Sequence, residues 1–278
     1  MRVLIISITS IFVVFSILFT LRIWGLGFPV SEFQSDFFNA KPPWMAFEIT
    51  TESEVEQVLK RSPDAVLFLD LRLSADQILF IQAPQIFEQS LQQEKFKKED
   101  YKGRYVTNYN YDFLKKEFPG IFPLEDILKK YPQQRLILNL IDNAENIHKI
   151  TVELLKKYNL GKNVVIHSPI DVVLKSIKEL EPLWTFGTSQ AEITRLLSLN
   201  SLWVLPAASM RSDVYISPLK IMNREVYNEE INSEFLRRKK KIMLGPLLSM
   251  DEFEQAKKFN PHGYIFRNLS DFESAHER

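Results

Sequence analysis

Asp70 and Arg72 close the apolar run AVLFLDLR at residues 65–72. On a strand a two-residue spacing puts both side chains on one face. A carboxylate and a guanidinium so placed make either a structural ion pair or the charged walls of a pocket. His167 ends the run VVIH at 164–167, where an imidazole could act as a general acid or simply be hydrogen-bonded beside the Ser168-Pro169 helix start. His148 and His262 fall in helix and turn contexts without a matched partner, and His276 lies in the tail, so the histidines suggest no metal site and no cofactor is expected. Ser209, Ser217 and Ser249 stand near strand ends, but no Gly-x-Ser-x-Gly elbow accompanies them. With no cysteine, thiol nucleophiles, disulfides, zinc ribbons and iron–sulfur clusters are excluded.

Positioning these side chains requires an alternating framework. Near-continuous apolar runs, the texture of parallel strands buried on both faces, occur at 65–71, 78–81, 136–141, 164–166, 202–205, 214–216, 242–244 and 264–266. Stretches between them carry apolar residues at helical spacing, as in Val55, Val58 and Leu59, or Ile193, Leu196 and Leu197. Thr51 with Glu54, Ser189 with Glu192 and Ser249 with Glu252 form capping boxes that predict helix starts. About eight strands alternating with helices predict an α/β fold, a (β/α)8 TIM-type barrel or a doubly wound sheet. No Gly-rich strand-to-helix fingerprint favours the nucleotide-binding sheet, and the barrel is preferred. An insertion at about 85–121, with Tyr101, Tyr105, Tyr109, Tyr111 and Phe113 among lysines, either covers the mouth or packs against the barrel.

The first thirty residues differ from the rest. Residues 3–21 carry no charge, lie between Arg2 and Arg22, and are long enough to span a bilayer. No small-x-small cleavage site follows, which predicts an uncleaved membrane anchor over 1–30, a tether over 31–43 and a barrel domain over 44–278. Arg2 favours a cytoplasmic amino terminus while Arg22 and Lys41 oppose it; the expectation is a single-pass membrane protein with its barrel outside the cytoplasm. Thirty-five Lys and Arg balance thirty-five Asp and Glu, so no global field gathers nucleic acid. The run Arg237, Arg238, Lys239, Lys240, Lys241 ends a helix and enters a strand, which in a barrel is the face opposite the active-site mouth. It reads as a solvated helix end, or as a surface that meets anionic headgroups at about 1 kcal/mol per cation.

Taken in order, the segments SPDAVLFLDLRLSADQILFIQAP, GIFPLEDILKKYPQQRLILNL, NVVIHSPIDVVLKSIKELEP and HGYIFRNLSDF resemble the glycerophosphodiester phosphodiesterase family of the PLC-like phosphodiesterase superfamily, over roughly residues 44–272. The resemblance implies a metal-dependent barrel enzyme that splits a glycerol-phosphate headgroup diester. In that family an E-x-D strand and an E-x-K strand supply acids to a divalent cation, and two histidines move protons. Here E-x-D becomes Phe68 and Asp70, E-x-K becomes Asn139 and Ile141, the His-Asp strand end reads Gln82, Ala83 and Pro84, and the first strand, 45–49, has no His-Arg pair. One carboxylate is too few for an all-protein cation cage. Asp70, Arg72, Asn139 and His167 are therefore pocket candidates in a domain expected to have lost the family reaction, binding a phospholipid headgroup or engaging an envelope protein. The alternative is a divergent hydrolase in which Asp70 helps hold Mg²⁺ or Ca²⁺.

Overall fold

The apolar run that ends in Asp70 forms β2 (Val66–Leu73), one of eight parallel strands that curl into a nearly closed barrel. A computed structural model describes residues 2–28, 30, 32–81, 106–270 and 272. The other strands are β1 (Trp44–Ile49), β3 (Leu136–Leu140), β4 (Val164–His167), β5 (Thr185–Phe186), β6 (Val214–Ser217), β7 (Lys241–Leu247) and β8 (Gly263–Phe266). Ladders join them in the order β5-β4-β3-β2-β1-β8-β7-β6. The remaining seam, β5 to β6, is held by a single bridge from Gly187 to Val214. Beside it the Thr188 hydroxyl donates to Ile216 O at 2.6 Å and accepts from Ile216 N at 3.0 Å, a side chain standing in for ladder bonds.

Two expected strands differ. The run 202–205 is not a strand: Trp203 has φ +63° and the chain enters a 3-10 turn, Leu205–Ala207. Trp203 stacks on Phe19 of the amino-terminal helix, and Leu205 joins the core under the outer helices. The strand in that part of the chain is the two-residue β5, too short for a periodic signal. Leu79–Ile81 is extended, but it pairs antiparallel with β2 and with Phe122–Pro123 outside the barrel.

Helices return the chain on the outside. In chain order they are α1 (Arg2–Leu26), α2 (Glu52–Arg61), α3 (Tyr111–Glu117), α4 (Leu124–Lys130), α5 (Ile147–Lys157), α6 (Asp171–Leu180), α7 (Gln190–Ser201), α8 (Glu229–Arg237) and α9 (Met250–Lys258). Thr51 and Glu54 make both halves of a capping box. Ser189 makes only its own half, because the Glu192 carboxylate accepts from Arg211 N and Ser212 N instead.

Strand side chains divide by parity. Phe47, Leu67, Leu69, Leu138 and Ile166 pack outward under the helices, whereas Ala46, Val66, Phe68, Ile137, Val165, Met243 and Ile265 fill the barrel. Phe37, from a 3-10 turn at Asp36–Asn39, joins this inner group, so part of the stretch expected as a tether is packed into the barrel floor. The described part of the insertion packs as well: Val106, Tyr109, Leu114 and Ile121 form a cluster with Phe80, flanked by Tyr111 and Phe113. Tyr101, Tyr105, Gln82, Ala83 and Pro84 lie outside the described residues. The α1 helix is exposed and apolar, with mean hydropathy 2.6 over its best window within Leu4–Leu26, and can cross a membrane by length and composition.

Candidate functional site

Parity carries the inward row of each strand to the mouth, the carboxyl ends where barrel sites are built. Above Phe68 on β2 stand Asp70 and Arg72; above Ile137 on β3 stands Asn139; above Val165 on β4 stands His167. Asp70 is in register with Asn139, and Asn139 with His167. The sequence candidates are thus neighbours on three consecutive strands.

Asn139 Nδ2 donates to Asp70 Oδ1 at 2.6 Å. Burial pushes the Asp70 carboxyl up to about 6, against the lowering effects of that hydrogen bond and of Arg72. Arg72 donates to Asp142 Oδ1 at 2.7 Å, so its ion pair is with a loop residue beyond β3 rather than with Asp70. Burial likewise raises Asp142, and Arg72 opposes the rise. His167 is pushed down to about 4 by burial, which keeps its ring neutral at physiological pH. Its ring lies 6.2 Å from that of Phe68, and a Cβ at Gly187 would come within 2.7 Å of its Nδ1, so only glycine leaves the imidazole room there. Among the described residues, Asn139 Oδ1, Asp142 Oδ2 and His167 Nδ1 are buried without a hydrogen-bond partner. Orphaned polar atoms at the top of a barrel are where a ligand would supply the missing bonds.

One site residue escapes the sequence reading. Glu48 follows Trp44 and Ala46 on the inward face of β1, and burial, reinforced by the Asp70 charge, pushes its carboxyl up to about 7 against the pull of Arg267. The signal was a lone acid in an apolar strand, as at Asp70. Both carboxyls are raised, so their ionisation works against folding: stability is fullest below about pH 4 and falls as pH rises through about 6 and 7. Glu48→Gln is expected to add about 1–3 kcal/mol at pH 8 and to flatten this decline. Chemical unfolding in detergent at pH 5 and pH 8 checks it, and a variant less stable than the parent at pH 8 would contradict it.

The basic run is largely committed to the floor. Arg237 pairs with Glu234 at 2.7 Å and reaches Leu26 O at 3.3 Å; Arg238 pairs with Glu234 at 2.6 Å and donates to Ala208 O at 2.7 Å. Lys240 donates to Ser212 O at 2.7 Å, and Lys241 pairs with Glu32 at 2.8 Å. Of the five, only Lys239 is exposed. His262 Nδ1 accepts from Ile242 N, and Ser249 caps α9, so both are structural.

No family model matches the sequence, and no curated protein matches it. Solved structures do match the fold. A phosphodiesterase from Oleispira antarctica, in complex with sn-glycerol-3-phosphate, is similar with TM-score 0.59 at 14% identity over 85% of this chain and 97% of that one. A glycerophosphodiester phosphodiesterase from Parabacteroides distasonis gives 0.57 at 15% identity over 86% and 99%. One from Agrobacterium tumefaciens gives 0.56 at 12% over 84% and 99%. The fold is that of the glycerophosphodiester phosphodiesterases.

A divalent cation, which the sequence resemblance implies, finds few donors. Glu48, Asp70 and Asn139 Oδ1 bring two carboxylates and one amide oxygen, and among the described residues no three His, Asp or Glu side chains converge as a metal group. A hard cation takes six or more oxygens, so most of its shell would have to come from water and ligand.

Proposed function

We propose that this chain is a membrane-anchored, glycerophosphodiester phosphodiesterase-like barrel, its domain outside the cytoplasm, that binds a phosphodiester headgroup at its mouth without hydrolysing it by the family route. The observation that carries the reading is Asn139, whose amide occupies Asp70 by hydrogen bond at a position the family gives to a metal-binding acid. The same mouth offers what a headgroup needs. Arg72 and Arg267 supply positive charge, the half-protonated Glu48 can donate to a phosphate oxygen, and Asn139 Oδ1 and His167 Nδ1 can accept from ligand hydroxyls. Binding should tighten as pH falls from about 8 to 6, because protonating Glu48 and Asp70 removes negative charge facing the phosphate.

The purified full chain in detergent tests this with sn-glycero-3-phosphocholine, by calorimetry and by product release with Mg²⁺, Ca²⁺ or Mn²⁺. The expected result is binding that Arg72→Ala and His167→Ala weaken, with no turnover. Absence of binding in a folded sample would sink the proposal. A second reading, a divergent cation-dependent phosphodiester hydrolase, is favoured by Glu48, which gives Asp70 a second carboxylate for company. Turnover abolished by both Asp70→Ala and Glu48→Gln would establish it in place of the first.

A further inference from the structure

Four apolar or aromatic contacts fuse the end of the anchor to the barrel floor. The Phe19 ring stacks 6.4 Å from Trp203, and the Arg22 guanidinium sits 4.2 Å over the same indole while donating to Trp203 O at 2.8 Å. Gly25 passes so near the turn after α7 that a Cβ would lie 2.2 Å from the Pro206 carbonyl carbon. The Arg238 guanidinium lies 5.8 Å from the centre of the Phe28 ring. Arg237 donates to Gly25 O and Leu26 O, placing a cation on the carbonyl end of α1 where the helix dipole favours it. The last two turns of the anchor are therefore packed against residues of the floor.

Depth follows from length. From Leu4 to Arg22 the helix rises about 27 Å at ~1.5 Å per residue, close to the ~30 Å hydrocarbon thickness of a bilayer. Arg22, the first charge after the apolar run, then lies at the headgroups. Trp203 touches both Arg22 and Phe19, one turn nearer the membrane, so it shares that depth. Leu202 and Trp203 are 53% and 48% exposed, and Trp24, 62% exposed two residues beyond Arg22, stands at the same depth on the face of the anchor turned away from Trp203. A groove of about 610 Å³ beside them, lined by Arg22, Glu229, Glu230 and Arg237 next to Trp203 and Leu26, has the mixed character of that boundary. Indole rings concentrate at membrane–water interfaces for the same reason.

We propose that the barrel floor is itself seated in the bilayer surface: Leu202 and Trp203, together with Trp24, enter the boundary between acyl chains and headgroups and hold the mouth turned away from the membrane. The inference rests on α1 spanning the membrane, and the test separates the two. The chain has no cysteine, so Ile11→Cys, Leu202→Cys and Met222→Cys each give a single spin-label site, at positions 70%, 53% and 94% exposed. Met222 lies in the hairpin between Lys220–Ile221 and Arg224–Glu225, beyond the carboxyl end of β6. In full chain reconstituted into phosphatidylcholine–phosphatidylglycerol vesicles, power saturation should find position 11 deep in lipid, position 202 several-fold more accessible to oxygen than to a nickel chelate, and position 222 the reverse. A label at 202 that matches 222 while 11 is in lipid overturns the inference alone; a label at 11 in water overturns the anchor and the inference together. Brominated lipid gives an independent readout in Trp24→Phe protein: its quenching should be largely lost on adding Trp203→Phe, and unchanged quenching would overturn the proposal.

Discussion

Asn139→Asp should lower the stability of the folded chain by about 3–4 kcal/mol at pH 7, with most of the loss recovered below about pH 5. The two side chains are nearly the same size, so the effect isolates charge. Asn139 Nδ2 donates to Asp70 Oδ1 at 2.6 Å, and burial already holds Asp70 up at about 6. Replacing that donor with a carboxylate turns a hydrogen bond into a contact between two acids, which share one proton. Such a pair separates its two ionisations by about two to three decades, each worth ~1.4 kcal/mol. The sign is fixed by linkage. The folded pair binds protons more tightly than the unfolded chain, so its stability is complete below the ordinary carboxylate range and is lost as pH rises through the raised folded values. Unfolding midpoints at pH 5 and pH 7 measure this. An equally stable, pH-insensitive variant would mean that Asp70 and Asn139 do not face each other in a shielded site. Millimolar Ca²⁺ that restored stability at pH 7 would show that one added acid suffices to recruit a cation, and would bring the hydrolase reading closer.

The barrel was legible because a strand buried on both faces must be apolar nearly throughout, and six of the eight candidate runs became barrel strands. The run at 202–205 imitates that texture for another reason: Val204 and Leu205 are buried beside the anchor, a partner that local periodicity does not reveal. Asp70, Asn139 and His167 were readable as interruptions or ends of apolar strands, and register brings them together. Glu48 carried the same mark but stood in a strand judged by the motif it lacked. The cationic run shows the opposite limit. Charge density suggests a free surface, yet Glu32, Glu234 and carbonyls far away in sequence occupy four of its five side chains, and only tertiary structure supplies those partners.

Phe37→Ala should be as damaging as the change at Asn139, with an expected loss of about 3–5 kcal/mol for deleting a fully buried aromatic ring. Phe37 is 0% exposed and enters the barrel from below, its ring 5.9 Å from Trp44 and under the Arg135 guanidinium at 5.6 Å. It belongs to the same inner stack as Phe68, whose ring neighbours His167, so the floor and the mouth are two ends of one packed column. A cavity at the floor should therefore loosen the imidazole that depends on the layers beneath it. Phe37→Leu, which refills most of the volume, should recover over half of the loss. The same logic separates two truncations: a fragment starting at residue 31 keeps the ring and should unfold cooperatively, whereas one starting at 44 opens the floor to water and should melt early or aggregate. If Phe37→Ala and both fragments unfolded like the parent, residues 31–43 would be only a spacer, and the close docking of anchor on floor would lose its structural reason.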